Sequence, residues 1–321
     1  MRVAVLDDYA PAFARLPAAG RLLGHEVVTF ADSVTGDALV ERLDGFDAVI
    51  LLQQRSPVPR EVVERLTTVR LLSQTGRNTS HLDVAACAER GITVSAGGAG
   101  GPQATAELTW ALILAALRHV PDEVQRLRDG QWQASVGTGL HAKTLGVYGL
   151  GRIGSLVAEV GRAFGMRVLV WGRDGSLARA TEAGYAAASS RAAFFAECDV
   201  LSVHLPLSAE TAGIVTGGDL ALMKPDALFV NTSRAAIVAP GALVAALEAG
   251  RPGQAAVDVF EVEPVLGAAD PLLALPNVTA TPHLGYVEWE VLARLYDAAV
   301  DQVLAFAAGS PVNVIATSPS S

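Results

Sequence analysis

The chain has 321 residues, 51% of them hydrophobic, and 33 acidic against 24 basic side chains give a formal charge of -9. This length exceeds what one hydrophobic core organises, so two domains are expected. The acidic balance, with no dense Lys/Arg cluster, argues against nucleic acid or an anionic membrane as a partner.

Met1 runs directly into the apolar stretch Val3 to Leu6, leaving no room for a charged leader and cleavage site, so a cytoplasmic protein is expected. Short β-branched runs follow at Glu26 to Phe30, Ala48 to Leu52, Arg70 to Leu72 and Ile92 to Val94, each separated by a helix-length segment. That βα rhythm predicts a parallel sheet. The Gly-rich segment Gly97 to Pro102 interrupts it and opens a long helix over Gln103 to Arg118. The apolar run inside that helix, Leu108 to Leu117, is too short to cross a bilayer and reads as buried. The stretch Arg118 to Leu140 is irregular, either a loop or a dimerisation arm. From Thr144 the rhythm restarts, with strands at Thr144 to Tyr148, Arg167 to Trp171, Val200 to His204, Ala227 to Asn231, Ala255 to Val259 and Val278 to Thr281. A last helix, Glu288 to Ala307, spaces Leu292, Leu295, Ala299, Val303 and Phe306 three or four apart and needs a surface to cover them, expected on the first domain. The tail Ala316 to Ser321 is polar and expected to be disordered. Cys87 and Cys198 stand apart from each other and from His ligands, so two buried thiols are expected and no metal site.

Gly149-Leu150-Gly151-Arg152-Ile153-Gly154 lies between the strand ending at Tyr148 and a helix expected to bury Ile153, Leu156, Val157, Val160 and Phe164. GxGxxG alone is a weak signal, but between a strand and a helix of a βαβ unit it marks a dinucleotide site. The first glycine permits the tight turn, the second lets backbone approach a pyrophosphate, and the third lets helix and strand pack closely. The helix N-terminus adds unpaired N–H groups and partial positive charge. Gly137 to Thr144 nearly spells a P-loop, but Ala142 replaces its second glycine and the segment precedes its strand, which sets nucleotide hydrolysis aside. An NAD-preferring site carries an acid about 20 residues on. Here the second strand runs into Gly172-Arg173, so the cofactor is expected to be NAD(P) with a lean toward NADP; Asp174 as a ribose ligand is the alternative.

Four successive strands end in polar groups: His204; Asn231-Thr232-Ser233-Arg234; Asp258 to Pro264; and Thr281-Pro282-His283. Ligands of open α/β sheets bind beyond these carboxyl ends. A 2-keto acid accepting hydride requires a cation for its carboxylate, a proton donor for the nascent alkoxide, and a partner that keeps the donor charged. Arg234 fits the first as a bidentate fork. His283 fits the second, and Glu263, or failing that Glu261, the third. No GxSxG elbow is present, and His25 to Thr29 lacks the second His of a zinc motif.

In this order, Gly149 to Gly154, Asn231 to Arg234, Asp258-Val259-Phe260-x-x-Glu263-Pro264 and Thr281-Pro282-His283-Leu284-Gly285 make the chain resemble the D-isomer-specific 2-hydroxyacid dehydrogenases over nearly its whole length. The resemblance implies a Rossmann-type doubly wound domain over 99–286 and a flavodoxin-like α/β substrate domain from 1–98 and 287–321, usually in a homodimer built on the cofactor domain. It implies that Arg234 binds substrate, His283 is the acid/base and Glu263 its partner. Asp258 and Gly285 would lie near the nicotinamide, Thr232 beside them, and His204 and Pro206 along the cofactor cleft. Arg55 and Arg77 fall in loops resembling substrate-facing ones, and Gly97-Gly98 would offer N–H groups to a carboxylate; both arginines read alternatively as surface charge. The chain departs from the pattern at Gly172, where an acid is usual, and at Ala235, where glycine is common. The activity implied is reduction of glyoxylate, hydroxypyruvate or a bulkier 2-keto acid. A phosphoglycerate dehydrogenase-like enzyme or a corepressor-like NAD(H) sensor is the alternative.

Overall fold

A computed structural model describes residues 1–98 and 100–316. The polar tail expected from Ala316 onward lies, past that residue, outside the described residues. The chain divides into two compact units, Met1–Gly101 with Glu288–Ser321, and Pro102–Val287.

In the first unit, β1 (Arg2–Val5), β2 (Glu26–Thr29), β3 (Ala48–Leu51), β4 (Leu71–Thr75) and β5 (Thr93–Gly97) are parallel. A short antiparallel strand, Val314–Ala316, pairs with β5. The order runs from that strand through β5-β4-β3-β1-β2, so the direction of strand addition reverses at β1. β3, β4 and β5 are buried throughout because both faces of the sheet are covered, which is why they read as continuous rather than alternating apolar runs. The helix Trp289–Ala307 lies against β4 and β5. It buries Leu292, Leu295, Ala299 and Val303, and with them Tyr296 and Gln302, while Phe306 stays partly exposed. Tyr296 meets Phe13 edge to face with ring centroids 5.1 Å apart.

The second unit holds β6 (Thr144–Tyr148), β7 (Arg167–Trp171), β8 (Ala186–Ala187), β9 (Val200–Val203), β10 (Leu228–Asn231), β11 (Gln254–Val257) and β12 (Val278–Ala280). All are parallel, in the order β12-β11-β10-β9-β6-β7-β8. The chain starts at the middle of this sheet and reverses between β6 and β9, the point where a doubly wound fold binds its ligand. Successive residues serve opposite cores: Leu145, Val147, Val168, Val170, Leu228 and Val230 pack with Trp110 on one face, and Tyr148, Leu169, Leu201 and Phe229 with Phe194 and Phe195 on the other. Each wholly buried side chain of this size stabilises the fold by about 1.5–3 kcal/mol. Both units are thus α/β, the first with the flavodoxin-like strand order and the second with Rossmann-type winding, and both cysteines are buried. Among the described residues, no helix is long and apolar enough to cross a membrane.

The helix after the glycine turn, Arg152–Ala163, differs from its expected face. It buries Gly154, Val157, Ala158 and Gly161, whereas Val160 and Phe164 are 38% and 41% exposed. Small residues win because neighbours press close: a Cβ at Gly154 would stand 2.2 Å from the Gly149 carbonyl oxygen, and one at Gly161 2.4 Å from Leu145 Cδ2.

Candidate active site

β6 delivers the glycine turn to the switch point. Gly149 has φ +95°, and a Cβ there would meet the His204 carbonyl oxygen at 2.8 Å, so the backbone just past β9 forbids a side chain. Gly151 caps the following helix with no side-chain bond to its first N–H groups, and a Cβ at Gly151 would meet nothing within 4 Å. Backbone donors therefore face open space at a helix N-terminus, which fits a dinucleotide pyrophosphate. Leu150 is held from both sides, its N–H donating to Ser176 Oγ at 3.2 Å and its carbonyl accepting from Arg179 Nε at 2.6 Å. Neither Ser176 nor Arg179 carries a sequence signal for this task. Beyond β7, Gly172 leads to Arg173, exposed at the start of the helix Asp174–Glu182, and Asp174 lies in its first turn. Arg173 also draws the Glu210 carboxyl below its usual range, behind the Ser208 hydroxyl and the backbone.

The polar strand tips stand level, because Asn231 pairs in register with Val257 and Val257 with Ala280. Arg234, Asp258 and His283 follow within three residues of those positions. After β10, Asn231 folds the turn, its Oδ1 accepting from Ser233 N–H and its Nδ2 donating to the Arg234 carbonyl, both at 3.0 Å. The Arg234 guanidinium donates to the Ser233 carbonyl at 2.7 Å. The Thr232 hydroxyl pairs with Thr109 Oγ1 at 2.8 Å.

After β11, Asp258 is wholly buried. It accepts from Thr281 Oγ1 at 2.6 Å, Leu284 N–H at 2.7 Å and Gly285 N–H at 2.8 Å, so one carboxylate fixes the whole turn carrying His283. Burial pushes its carboxyl up, opposed by those three donors and by His283. Thr105 Oγ1 ties the same turn by donating to the Gly285 carbonyl at 2.8 Å.

His283 sits at φ +55°, a left-handed conformation that a residue with a Cβ rarely adopts and that clusters at functional sites. Its Nδ1 lies 2.6 Å from Glu263 Oε2, while Glu263 Oε1 accepts from Phe260 N–H at 3.0 Å. Glu261 points elsewhere, accepting from Gly241 N–H at 2.9 Å. Of the two acids weighed from sequence, Glu263 is the one beside the imidazole, and Glu261 is corrected to a helix-start ligand. The His204 ring, with Nε2 2.9 Å from Ser202 Oγ, is pushed down to about 4 by burial and is neutral at working pH.

The remaining expected residues belong to the first unit. Arg55 follows β3 with its guanidinium 5.2 Å from the Tyr9 ring centroid, and Arg77 follows β4. Gly97 ends β5. In the orientation that satisfies both ends of its carboxamide, Gln302 accepts from the Gly97 N–H at 3.0 Å and donates to Ser73 Oγ and the Ser95 carbonyl. No group of three or more His, Cys, Asp or Glu able to hold a metal is found among the described residues.

Residues 110–285 match the family model for the NAD binding domain of D-isomer specific 2-hydroxyacid dehydrogenases. A glyoxylate reductase of Aeropyrum pernix is 39% identical over 79% of this chain and 78% of its own length. A D-3-phosphoglycerate dehydrogenase of Synechocystis is 34% identical over 91% of this chain, which spans only 54% of that protein. The crystal structure of a phosphoglycerate oxidoreductase from Vibrio cholerae superposes with a TM-score of 0.93 at 47% identity, covering 96% of this chain and 99% of the other. The chain therefore belongs to the D-isomer-specific 2-hydroxyacid dehydrogenases, enzymes acting on CH–OH donors with a nicotinamide cofactor.

Proposed function

We propose that this enzyme reduces a small 2-keto acid, glyoxylate, hydroxypyruvate or a bulkier relative, with chemistry centred on the tips of β10, β11 and β12. The observation that carries this reading is the 2.6 Å contact between His283 Nδ1 and Glu263, held on a turn pinned by a buried carboxylate. Glu263 keeps Nδ1 protonated and fixes the ring's tautomer, so Nε2 is the atom that gives a proton to the forming alkoxide and takes it back in the reverse direction. Arg234 holds the substrate carboxylate as a fork and polarises the carbonyl. In the first unit, Arg55 and Arg77 are the substrate-facing cations. Of the glycine pair, Gly98 is the carboxylate donor, because the Gly97 N–H is committed to Gln302.

A nicotinamide dinucleotide, when bound, supplies or accepts the hydride. Gly149, Gly151, Arg152, Ile153 and Gly154 would hold its pyrophosphate through backbone N–H groups. His204, Pro206, Thr232, Asp258 and Gly285 would line its nicotinamide side. At its ribose, Gly172 brings no carboxylate and Arg173 brings an exposed guanidinium, which favours NADP. Asp174 and Glu210 stand near enough to Arg173 to temper that preference. The enzyme is further proposed to work as a homodimer built on its cofactor-binding unit. Phosphoglycerate oxidation is the second reading, favoured by the likeness to the Vibrio cholerae protein.

A panel of 2-keto acids of increasing size, with 3-phosphohydroxypyruvate included and each run with NADH and NADPH, tests this by nicotinamide absorbance. The expected result is the highest kcat/KM on an unphosphorylated 2-keto acid with NADPH. Turnover confined to the phosphorylated acid would favour the second reading, and strong NADH preference would reject the assignment of Arg173.

A further inference from the structure

The helix Pro102–Leu117 opens the second unit and lies against β10, β11 and β12, the three strands beyond whose tips Arg234, Asp258 and His283 follow. Thr105 and Thr109 are four residues apart on it and therefore share one face. Thr109 is wholly buried and Thr105 half-buried. A threonine inside a helix commonly satisfies its hydroxyl on its own backbone one turn back. Here each hydroxyl also reaches a separate turn of the candidate site.

The Thr109 hydroxyl donates to the Thr105 carbonyl at 2.7 Å and lies 2.8 Å from the Thr232 hydroxyl. A hydroxyl has one hydrogen to give, so Thr109 spends its own on the helix and accepts from Thr232. Thr105 Oγ1 in turn donates to the Gly285 carbonyl at 2.8 Å. The bonds thus run in one direction, from the turn after β10, along one turn of helix, to the turn after β12. Gly285 is gripped on both sides, its N–H by Asp258 and its carbonyl by Thr105. A Cβ there would stand 3.2 Å from the Asp258 carboxylate and 3.5 Å from Thr105, so the fit is close. The turn after β10 is likewise held from two directions, by Ser233 donating to the Leu205 carbonyl and by Thr232 donating to Thr109.

We propose that Thr105 and Thr109 are positioning residues that keep these two turns in register, Thr109 setting the turn that carries Arg234 and Thr105 the turn that carries His283. Each acts through the turn it holds and not on substrate or cofactor. A misplacement of about 1 Å caused far from the reacting atoms can cost about a hundredfold in rate, so tethers on one rigid helix matter despite their distance from the chemistry. This rests on the roles given above to Arg234 and His283.

Thr105→Val and Thr109→Val remove the hydroxyl and keep the shape, while Thr105→Ser and Thr109→Ser keep the hydroxyl. Thr105→Val, which frees the turn of the proton donor, should lower kcat for the best 2-keto acid by about tenfold to a hundredfold and leave KM near wild type. Thr109→Val, which frees the turn of the carboxylate fork, should raise KM by about tenfold as well as lower kcat. Both serine variants should stay close to wild type. If Thr109→Val does not fold, Thr232→Val breaks the same bond from its other end and should raise KM in the same way. A crystal structure of Thr105→Val gives a readout independent of turnover, with the Gly285 carbonyl turned away from the helix. Wild-type kinetics in the valine variants, serine variants as impaired as the valine ones, the same kcat and KM changes at both positions, or Gly285 unmoved would each overturn the proposal. A wild-type enzyme that turns over no 2-keto acid would overturn the functional reading instead, and the position of Gly285 would still judge the tether.

Discussion

Glu261 and Glu263 are two residues apart, equally acidic and equally near a strand end, yet one meets a backbone N–H and the other an imidazole. Replacing each in turn separates a structural carboxylate from one proposed to orient a proton donor. Glu263→Gln should lower kcat by about tenfold to a thousandfold, since Glu263 uses both oxygens, one on Phe260 N–H and one at His283 Nδ1, and a carboxamide offers only one acceptor and no charge to fix the ring's tautomer. Glu261→Gln still offers an oxygen to Gly241 and should leave kcat near wild type. Equal losses in both variants, or full activity in Glu263→Gln, would sink the assignment. The residues proposed to touch the reacting groups are legible because the chemistry demands particular side chains at strand ends. Their supports were not. Thr105, Ser176 and Gln302 are single polar residues whose partners lie far along the chain, so nothing local in the sequence distinguishes them from solvated side chains.

At the level of elements, periodicity identified the long strands and both long helices, and failed where an element is short or its packing atypical. β8 has two residues and Val314–Ala316 three, too few to show a period. The helix Val120–Arg128 was hidden because its apolar stripe, Val120, Val124 and Leu127, is only three residues long and lies among Pro121, Gly130 and other loop-forming residues, and none of the three is buried. That helix and the extended segment after it expose Leu127, Trp132 and Val136 to 62%, 78% and 94%. The segment is nonetheless tied back: Glu123 accepts from the N–H groups of Ala134 and Ser135, and Thr138 N–H donates to the Leu117 carbonyl at 2.8 Å. An ordered arm with large apolar side chains facing water suits a second copy of the chain as its cover. Light scattering should give a dimer for the wild type and a monomer for Leu127→Asp/Trp132→Asp. A monomeric wild type, or a double variant that remains dimeric, would reject the arm as the interface.

Across the whole molecule, acid sensitivity follows from one buried imidazole in each unit. His81 in the first has neither ring nitrogen hydrogen-bonded among the described residues, and burial pushes it down to about 4; His204 in the second is pushed down to about 4 for the same reason. A lowered histidine pKa means that the unfolded chain binds protons near its ordinary 6.5 while the native state refuses them. Stability from these rings is therefore complete above 6.5 and lost as pH falls from 6.5 toward 4. At pH 5 each of these half-buried rings should cost up to about 2 kcal/mol, and less to the extent that water reaches it. Carboxylates held low by partners, such as Asp219 beneath Arg191 and Thr216 and Asp199 beneath Lys224, act only once pH falls below about 4, where unfolded carboxylates take up protons. Between pH 6.5 and 4.5 the two histidines are thus the groups that destabilise, while the Asp7 and Asp258 carboxyls, pushed up by burial, take up protons in the native state and oppose them. Urea unfolding across that interval should show wild-type stability falling, and His81→Phe, which keeps an aromatic ring and cannot protonate, should show a shallower fall. Parallel curves for the two proteins would mean that His81 takes up its proton without unfolding.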